Sequence, residues 1–416
     1  MERPRPSVQE QKRGVFSASL KFDPCKALRH GKSIAIMRIA IHATGMTRKN
    51  TGVGQYIAHL LTELVPLLVR DGCKVLLLVS PDADVSAFDG VARLVPLPIA
   101  RTKRLERVFL EHLYVPAVSW SAEVYLSLMS VFPFTPVRSR RKLVVIQDIL
   151  HVMSQIEPDL YPWRCSAARL RYINFSMGRT LRAASSIITL SEFVAEGLKQ
   201  HLQVEKERIS VIPCGVDLQR FHPQPAPGQL ADVRRRYGLP ERYHLFVGNL
   251  AEHKNLRLIV DAYASSGNKD LCIPVAITLP PPQPGNTYSV AQHLEQKGLR
   301  DSFRFLGFIP DNDLPLLYGA AQALLYPSLH EGFGIPPLEA MACGIPVVTS
   351  NCSALPEVVG DAALTIDPRR PEALIEALHK VNNEAIRRRL IEKGLQRVQG
   401  FTWKRVAQQM REVILS

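Results

Sequence analysis

The sequence lacks the features that mark several classes of protein. Its 416 residues include seven cysteines, an odd number, with no C-x-x-C pair. This pattern argues against a disulfide framework or a zinc site and is typical of reduced thiols in a cytoplasmic chain. No uninterrupted apolar run approaches the roughly 20 residues that a membrane-spanning helix needs. Residues 1–36 also lack the apolar core of a signal peptide.

Acidic residues are few beside basic ones. The chain has 52 Lys and Arg against 38 Asp and Glu, a formal net charge of +14. Such a balance suggests an anionic partner: nucleic acid, an acidic membrane surface or a phosphorylated substrate. Because the sequence has no RNP-like string, zinc pair or helix-turn-helix pattern, we expect no nucleic-acid partner. We expect the basic extension over residues 1–36 to be disordered, or to precede a true start at Met37.

From residue 37 onward, strand and helix patterns alternate. A first series has apolar strands at 38–43, 74–80, 142–148, 186–191 and 209–217, with helical stretches between them. A second series begins at residues 244–250 and continues to residue 368. Alternation of this kind predicts parallel sheets with helices on both faces. The predicted fold class is α/β, with two Rossmann-like domains that face each other across a cleft.

The predicted organisation has four segments. They are the extension 1–36, an N-terminal Rossmann-like domain 37–214, a C-terminal Rossmann-like domain 215–398 and a C-terminal helix 399–416. A proline-rich stretch near residues 215–229 suits the linker between the two domains. Since ligands of such folds lie beyond the carboxyl ends of the strands, we expect the site in the cleft.

One stretch, HEGFGIPPLEAMACGIPVV at residues 330–348, carries most of the chemistry. Glu331 and Glu339 stand eight positions apart around glycines and a Pro-Pro pair. Pro336 and Pro337 suit the first turn of a helix and Gly344 its end, which predicts a helix over residues 337–343. Free N–H groups at the helix start attract an anion, and carboxylates accept hydrogen bonds from hydroxyl groups. Either glutamate alone fits a solvated or helix-terminal charge, but the whole string favours a sugar-nucleotide cradle.

This string resembles the signature of glycosyltransferase family 4, retaining enzymes of the GT-B fold. Other segments resemble that family in the same order, so that the resemblance covers nearly everything from Met37 onward. These segments are the glycine-rich loop 52–57, the end of the first domain at 187–198 and 209–217, the strand-loop 247–255, the stretches 305–328 and 351–368, and the C-terminal helix 401–414. The resemblance implies that this last helix returns to the first domain.

The resemblance also implies roles for individual residues. Glu331 and Lys254 would be catalytic, with Glu331 on the hydroxyls of the donor sugar and Lys254 on the diphosphate, where negative charge develops. Glu339 would hold the ribose hydroxyls. The first Rossmann-like domain would bind the acceptor and the second the sugar nucleotide. The full set of implied donor-binding residues is Gly52, Asn249, His253, Lys254, Phe308, Glu331, Gly332, Phe333, Gly334, Ile335 and Glu339.

Two positions depart from the family pattern. Many members carry an arginine where this chain has Asn249, so His253, a weaker and pH-dependent cation, would have to assist Lys254. The family often has His-Asp where this chain has Gln147 and Asp148, the acceptor-side candidates. Gln147 can hydrogen-bond but cannot carry a proton. His151 lies nearby in sequence as a substitute or as an ordinary loop histidine.

The implied reaction is transfer of a hexose from a sugar nucleotide to a glycan or a polyprenyl-diphosphate-linked acceptor. The pattern is most similar to mannosyl- and rhamnosyltransferases of bacterial surface polysaccharide assembly, which favours GDP-mannose as donor. The alternatives are a UDP-sugar-dependent hexosyltransferase and a sugar-nucleotide epimerase of the same fold. We expect no cofactor and no metal, since Asp311 or Asn312 of the D-N-D string at 311–313 more simply caps a helix.

The basic stretch at residues 101–113 permits two interpretations. Arg101, Arg104 and Arg107 can share one face, with Phe109 and Leu113 on an apolar stripe. Such a helix can lie on an anionic membrane, which would suit a peripheral enzyme on the inner face of the cytoplasmic membrane. It can equally be a domain helix whose apolar stripe packs on the sheet.

Overall fold

The computed structural model describes residues 36–46, 52–97, 109–163, 165–223, 227–268, 271, 273–280 and 290–416. Residues 37–416 form one unit of the chain. The predicted extension over residues 1–36 lies, up to residue 35, outside the described residues, as do residues 101–108 of the predicted basic helix.

The first sheet has seven parallel strands in the order β3-β2-β1-β4-β5-β6-β7. Apolar side chains cover both of its faces, as a parallel sheet between helices requires. Its strands are β1 (Arg38–Ala43), β2 (Lys74–Val79), β3 (Arg93–Pro96), β4 (Val124–Ser127), β5 (Arg141–Ile146), β6 (Ser186–Thr189) and β7 (Ile209–Val211). Its helices are α1 (Gly52–Arg70), α2 (Val115–Val118), α3 (Leu150–Ile156), α4 (Ala167–Ala183) and α5 (Glu192–Leu202), with a π-helical turn at Leu110–Tyr114.

The second sheet repeats this arrangement with six parallel strands in the order β10-β9-β8-β11-β12-β13. Its strands are β8 (His244–Phe246), β9 (Val275–Ile277), β10 (Phe303–Phe305), β11 (Ala323–Tyr326), β12 (Val347–Ser350) and β13 (Leu364–Ile366). Its helices are α6 (Pro227–Arg236), α7 (Leu256–Ser266), α8 (Val290–Gln296), α9 (Leu314–Ala320), α10 (Ile335–Ala342), α11 (Leu355–Val359), α12 (Pro371–Asn382) and α13 (Glu384–Val398). Short 3-10 turns lie at Ser86–Phe88, Lys206–Arg208, Glu252–Lys254 and Arg300–Ser302.

Both sheets therefore have the doubly wound order of a Rossmann fold, which confirms the predicted fold class. In such a sheet the strand order reverses next to the first strand, and ligands bind at the carboxyl ends of the two strands that flank this point. The reversal in the second sheet lies between β8 and β11, which are direct neighbours. The loops that follow these two strands are the place to look for a site.

The last helix, α14 (Trp403–Leu415), packs against α1 of the first sheet. The Trp403 ring stacks on His59 at a centroid distance of 5.3 Å and meets Tyr56 edge-on. Arg411 Nε lies 2.5 Å from the carboxylate of Asp71. The chain thus crosses back from the second sheet to the first at its C-terminal end.

Among the described residues one helix, α1, is long and apolar enough to cross a bilayer by length and composition alone. Eight of its residues are buried, with Tyr56, Leu60 and Leu64 among the largest side chains of the core. Its apolar character is thus accounted for by packing between the first sheet and α14. Of the described cysteines, Cys73, Cys165, Cys214, Cys343 and Cys352 are free thiols.

Candidate functional site

A lysine and a glutamate meet where the two central loops of the second sheet converge. Lys254 ends the 3-10 turn that follows β8, and Glu331 lies in the loop after β11. The Lys254 Nζ is 2.7 Å and 2.9 Å from the two carboxylate oxygens of Glu331 and also donates to the Tyr326 hydroxyl at 3.1 Å. The two charged side chains are only 14% and 12% exposed.

This contact keeps both groups charged. Burial alone would favour the neutral lysine, but the adjacent Glu331 carboxylate outweighs it and raises the pKa of Lys254. Burial likewise opposes ionisation of Glu331, and Lys254 overcomes it and lowers the pKa of the glutamate. The structure therefore holds one positive and one negative charge side by side at the predicted site.

Hydrogen bonds to main-chain carbonyl groups fix the two loops relative to each other. The Asn255 side-chain nitrogen Nδ2 donates to the carbonyl oxygens of Pro327 and Pro368, at 3.1 Å and 2.7 Å. The Leu329 N–H donates to the His253 carbonyl at 2.7 Å. Asn255 itself adopts a left-handed conformation, with φ 56°, which asparagine tolerates better than most residues. Neither Asn255 nor Tyr326 was predicted from the sequence, although Asn255 directly follows the lysine that it helps to position.

The turn after Glu331 presents unused donors. The backbone N–H groups of Phe333, Gly334 and Ile335 make no hydrogen bond to any residue that the structure describes. Gly334 has φ +110°, and a Cβ atom there would approach Leu355 at 2.7 Å, so this turn requires glycine. Because the next two residues of α10 are prolines without an N–H, the donors are concentrated at the very start of the helix. Such a turn can bind an anion.

Glu339 lies deeper than the sequence pattern predicted. The helix begins at Ile335 rather than at Pro337, because Gly334 turns the chain two residues earlier, so Glu339 is its fifth residue and not in its first turn. The carboxylate is buried and accepts a hydrogen bond of 2.8 Å from the Tyr318 hydroxyl. Burial raises the pKa of Glu339 to about 7.

Three other predicted donor-side residues lie in the surrounding loops. Asn249, after β8, is exposed and its side-chain oxygen accepts from the Ala251 N–H at 3.0 Å, so it shapes this loop. Phe308 follows β10 at the same edge of the sheet and is 76% exposed. Gly52 is the exposed first residue of α1, and residues 47–51 before it lie outside the description. Phe333, another predicted donor-binding residue, packs its ring edge-on against Phe401.

The predicted cationic role of His253 is not favoured in the unliganded structure. Its ring is largely buried, and burial lowers the pKa of His253, with the positive charge of Lys254 lowering it further. The carboxylates of Glu331 and Asp148 act in the opposite direction but do not compensate. We therefore expect a neutral imidazole beside Lys254 at neutral pH.

The acceptor-side candidates follow β5 in the first sheet and face the Glu331 loop. The Gln147 amide donates to the Leu128 carbonyl at 3.1 Å. Asp148 accepts a 3.0 Å hydrogen bond from His330 Nε2, which belongs to the other domain. His151 is buried, and its Nε2 has no partner among the described residues. The proximity of His330 to Asp148 was missed, since nothing in the local sequence signals a contact over 182 positions.

Further contacts hold the two domains together beside this site. The Ser191 hydroxyl donates to the Gly332 carbonyl at 2.7 Å. A Cβ atom at Gly332 would stand 1.9 Å from the Gln147 carbonyl oxygen, so only glycine permits this approach. The Glu357 carboxylate accepts from the N–H groups of Glu192 and Phe193, at 2.9 Å and 3.0 Å, at the start of α5. The donor-side loop is thus packed directly against the acceptor-side candidates.

The D-N-D string does not cap a helix as predicted. Helix α9 starts at Leu314 with Asp313 as its N-terminal flanking residue, and the Asp313 side chain makes no capping hydrogen bond. Asp313 instead pairs with Arg236 at 2.5 Å and accepts from the Tyr237 hydroxyl at 2.7 Å. Arg220 binds the carbonyl and carboxylate of Asp311. Each aspartate of the string therefore forms an ion pair with an arginine. Within the described residues, no group of three His, Cys, Asp or Glu side chains could hold a metal ion.

Two family models match the chain, one on each half. The model described as Glycosyltransferase Family 4 matches residues 51–220, and the model described as Glycosyl transferases group 1 matches residues 233–397. The second match contains Lys254, Glu331 and Glu339.

Known proteins resemble the chain over most of its length. The O-antigen chain mannosyltransferase B of Escherichia coli is 32% identical over 281 residues, which cover 65% of this chain and 69% of that protein. The O-antigen chain mannosyltransferase RfbU of Salmonella typhimurium is 26% identical over 83% of this chain and 94% of its own length. The solved structure of sucrose-phosphate synthase from Thermosynechococcus elongatus superposes with a TM-score of 0.68 over 91% of this chain and 98% of that one, at 22% identity, a likeness in fold.

The raised pKa of Glu339 predicts a pH-dependent cost to stability. Above the ordinary glutamate pKa of 4.5 the unfolded chain loses this proton, while the folded chain keeps it up to about pH 7. Stability therefore falls as the pH rises through this window, by about 3 kcal/mol, and the cost persists at higher pH. Glu339→Gln cannot ionise, so it should be more stable than the wild type at pH 8 and equally stable at about pH 4, below the ordinary glutamate pKa.

Urea unfolding at these two pH values measures the difference. Glu372→Gln, a change at an exposed glutamate of the same domain, is the matched control and should show no such gain. Equal stability of Glu339→Gln and the wild type at pH 8 would show that the buried carboxyl ionises at no cost.

Proposed function

Because the chain belongs to the group 1 and family 4 glycosyltransferases, we propose that it transfers mannose from GDP-mannose to a growing glycan with retention of anomeric configuration. The observation that carries the proposal is the buried Lys254–Glu331 pair at the strand-order reversal of the second sheet. Mannose is the sugar named for the two bacterial relatives, and their O-antigen products support a surface polysaccharide as the context.

The donor would span the cradle after β8 and β11. Lys254 would meet the diphosphate together with the unused N–H groups of residues 333–335, because all of these donors favour negative charge. Glu331 would accept hydrogen bonds from the hydroxyls of the sugar. Glu339 would accept from the ribose, where its partner Tyr318 can remain in place since a carboxylate has several acceptor sites.

In the proposed reaction, the bond from the anomeric carbon to the diphosphate oxygen breaks and a bond from that carbon to the acceptor oxygen forms on the same face. The acceptor hydroxyl gives its proton to the departing phosphate oxygen, and the nucleoside diphosphate leaves. Lys254 would stabilise the charge that develops on the leaving group. No protein base is required, which agrees with the absence of an ionisable side chain at Gln147.

A panel of sugar nucleotides tests the donor. GDP-mannose should raise the unfolding midpoint by mass action, equivalent to about 2.7 kcal/mol at a hundred times its Kd, whereas UDP-glucose should stabilise the protein much less. Glu331→Gln should stay folded by circular dichroism yet lose about 10²- to 10³-fold in kcat with a saccharide acceptor. Glu372→Gln is again the control.

Retention is read from the anomeric proton of the product by NMR. Stabilisation by UDP-sugars alone would replace the proposed donor with the UDP-sugar alternative. Near-normal turnover by Glu331→Gln would remove Glu331 from the reaction, and an inverted product would exclude the same-face mechanism.

Lys254 and His253 should contribute unequally to donor binding. Lys254→Met removes the cation at the diphosphate and should weaken donor affinity at least tenfold, since truncating a buried charge partner typically costs 2–5 kcal/mol. His253→Ala should have a smaller effect. The ratio of its Kd to that of the wild type should be the same at pH 7 and pH 8, because the lowered pKa of His253 leaves the imidazole neutral at both. Isothermal titration measures both. A pH dependence in this range that disappears in His253→Ala would restore the histidine as a cation.

An anionic membrane surface is the proposed setting of the acceptor, which we take to be linked to a polyprenyl diphosphate at the cytoplasmic face. Phe109 and Leu113 are 55% and 50% exposed, which favours the membrane interpretation over packing on the sheet. Tyr172 and Phe175 on α4 are also exposed, and Phe134 joins the two groups by contacting both His112 and Phe175. Helix α4 carries four arginines and no acidic residue.

Vesicle co-sedimentation tests this membrane-facing surface, defined by Phe109, Leu113, Tyr172 and Phe175. The protein should sediment with vesicles containing anionic lipid, less at high salt and little with neutral vesicles. Replacing both Leu113 and Phe175 by serine should release it. Arg257→Gln, an exposed change on α7 of the other domain, should not. A chain that begins at Met37 controls for the basic extension, and indifference of that chain to lipid charge would overturn the proposal.

A further inference from the structure

The loop that carries Glu331 also sends a side chain into the other domain. His330 belongs to the loop after β11, yet its imidazole is completely buried. It lies between the rings of Tyr161 and Phe193, both from the first domain, at centroid distances of 5.4 Å and 5.5 Å. Both rings meet it edge-on, so the imidazole is held in a defined orientation.

In this position His330 fixes one oxygen of Asp148. Asp148 Oδ1 accepts hydrogen bonds from His330 Nε2, at 3.0 Å, and from the Leu150 N–H. No described residue donates to Oδ2, and the side chain of Asp148 remains 44% exposed. One carboxylate oxygen is therefore restrained by two donors, while the other is open to a ligand.

No other described imidazole performs this task. His151 lies on α3 close to Asp148, but among the described residues it makes no hydrogen bond to the aspartate, and its buried Nε2 has no described partner. The amide nitrogen of Gln147 is occupied by the Leu128 carbonyl. Within the described chain, the side-chain partner of Asp148 is supplied across the domain boundary.

We infer that His330 is a positioning residue for the acceptor, an inference that rests on the proposed function. Asp148 Oδ2 accepts a hydrogen bond from a hydroxyl of the acceptor sugar that neighbours the attacking one, and His330 holds the aspartate in the orientation that this contact needs. The proton of the attacking hydroxyl still leaves with the phosphate. Because His330 directly precedes Glu331, one loop holds the donor sugar and orders the acceptor side, so both are in place only when the two domains are together. Groups that direct a reacting atom need such support from locked neighbours.

Three substitutions separate hydrogen bonding from packing. His330→Gln can still present an N–H near the position of Nε2. His330→Met has a similar size but no donor, and His330→Asn is polar but too short to reach Asp148. We expect kcat for transfer to fall about 10- to 100-fold in the Met and Asn variants, as loss of a hydrogen bond to a charged group predicts, and by less than about threefold in the Gln variant.

The donor Kd should stay within about twofold in all three variants, because the Lys254–Glu331 contact is untouched. Asp148→Asn combined with His330→Met should lose no more than Asp148→Asn alone, since both changes act on one contact. Circular dichroism verifies folding, and the Asn variant keeps the comparison available if the Met variant does not fold.

Glu357→Ala is the matched control for a general domain contact. Its carboxylate bridges the same boundary to Glu192 and Phe193 without touching Asp148, so its kcat should fall clearly less than that of His330→Met. Equal losses in the Gln and Met variants, or an equal loss in Glu357→Ala, would show that His330 only packs the domains together and would overturn the inference. A wild type that transfers no sugar would overturn the proposed function and this inference together.

Discussion

The contact between Lys254 and Glu331 constrains the rest of the site. Either charge alone would be costly in so buried a position, by several kcal/mol, and the cost is recovered only when the two side chains meet in good geometry. This requirement brings the loop after β8 against the loop after β11. Asn255 and the His253 carbonyl then hold the two loops at that separation. The site is consequently charge-balanced before a ligand arrives, and its lysine remains a cation.

The same loop determines how closely the two domains approach. Gly332 lies against the Gln147 carbonyl at a distance that excludes any side chain, and the residues on either side of it contribute the donor-side carboxylate and the turn of free N–H groups. Ser191, Glu357 and His330 add polar contacts around this point. The short segment 330–335 therefore forms part of the proposed donor site and also packs the two domains together. Substitutions in that segment affect both, which is why each experiment needs a control elsewhere at the boundary or in the same domain.

The position of Glu339 illustrates a trade between stability and binding. Glu339 belongs to helix α10, and its carboxyl is buried with the Tyr318 hydroxyl as its hydrogen-bond partner. Burial there favours the neutral acid, while a ligand that donates hydroxyl hydrogen bonds favours the carboxylate. A residue kept at a cost in the unliganded protein is a good candidate for a role in binding, because packing alone would be served better by an uncharged side chain.

The sequence by itself determined the architecture and the approximate location of the site. Alternating apolar runs dictate parallel strands with helices between them, and residues that directly follow strands β8 and β11 must lie at one edge of one sheet. The roles of Lys254 and Glu331 at that edge came from the family resemblance and stay predictions, and the glycines and prolines after Glu331 signal a turn and a helix. Local patterns were weaker guides where distant partners compete: Asp313 binds Arg236 and Tyr237 rather than capping α9, and Gly334 starts α10 two residues early.

Only the tertiary structure decided that Lys254 and Glu331 neutralise each other, that burial lowers the pKa of His253, and that His330 reaches Asp148 in the other domain. These outcomes depend on which side chains meet across loops and domains and on how much water they lose, and sequence spacing contains neither quantity.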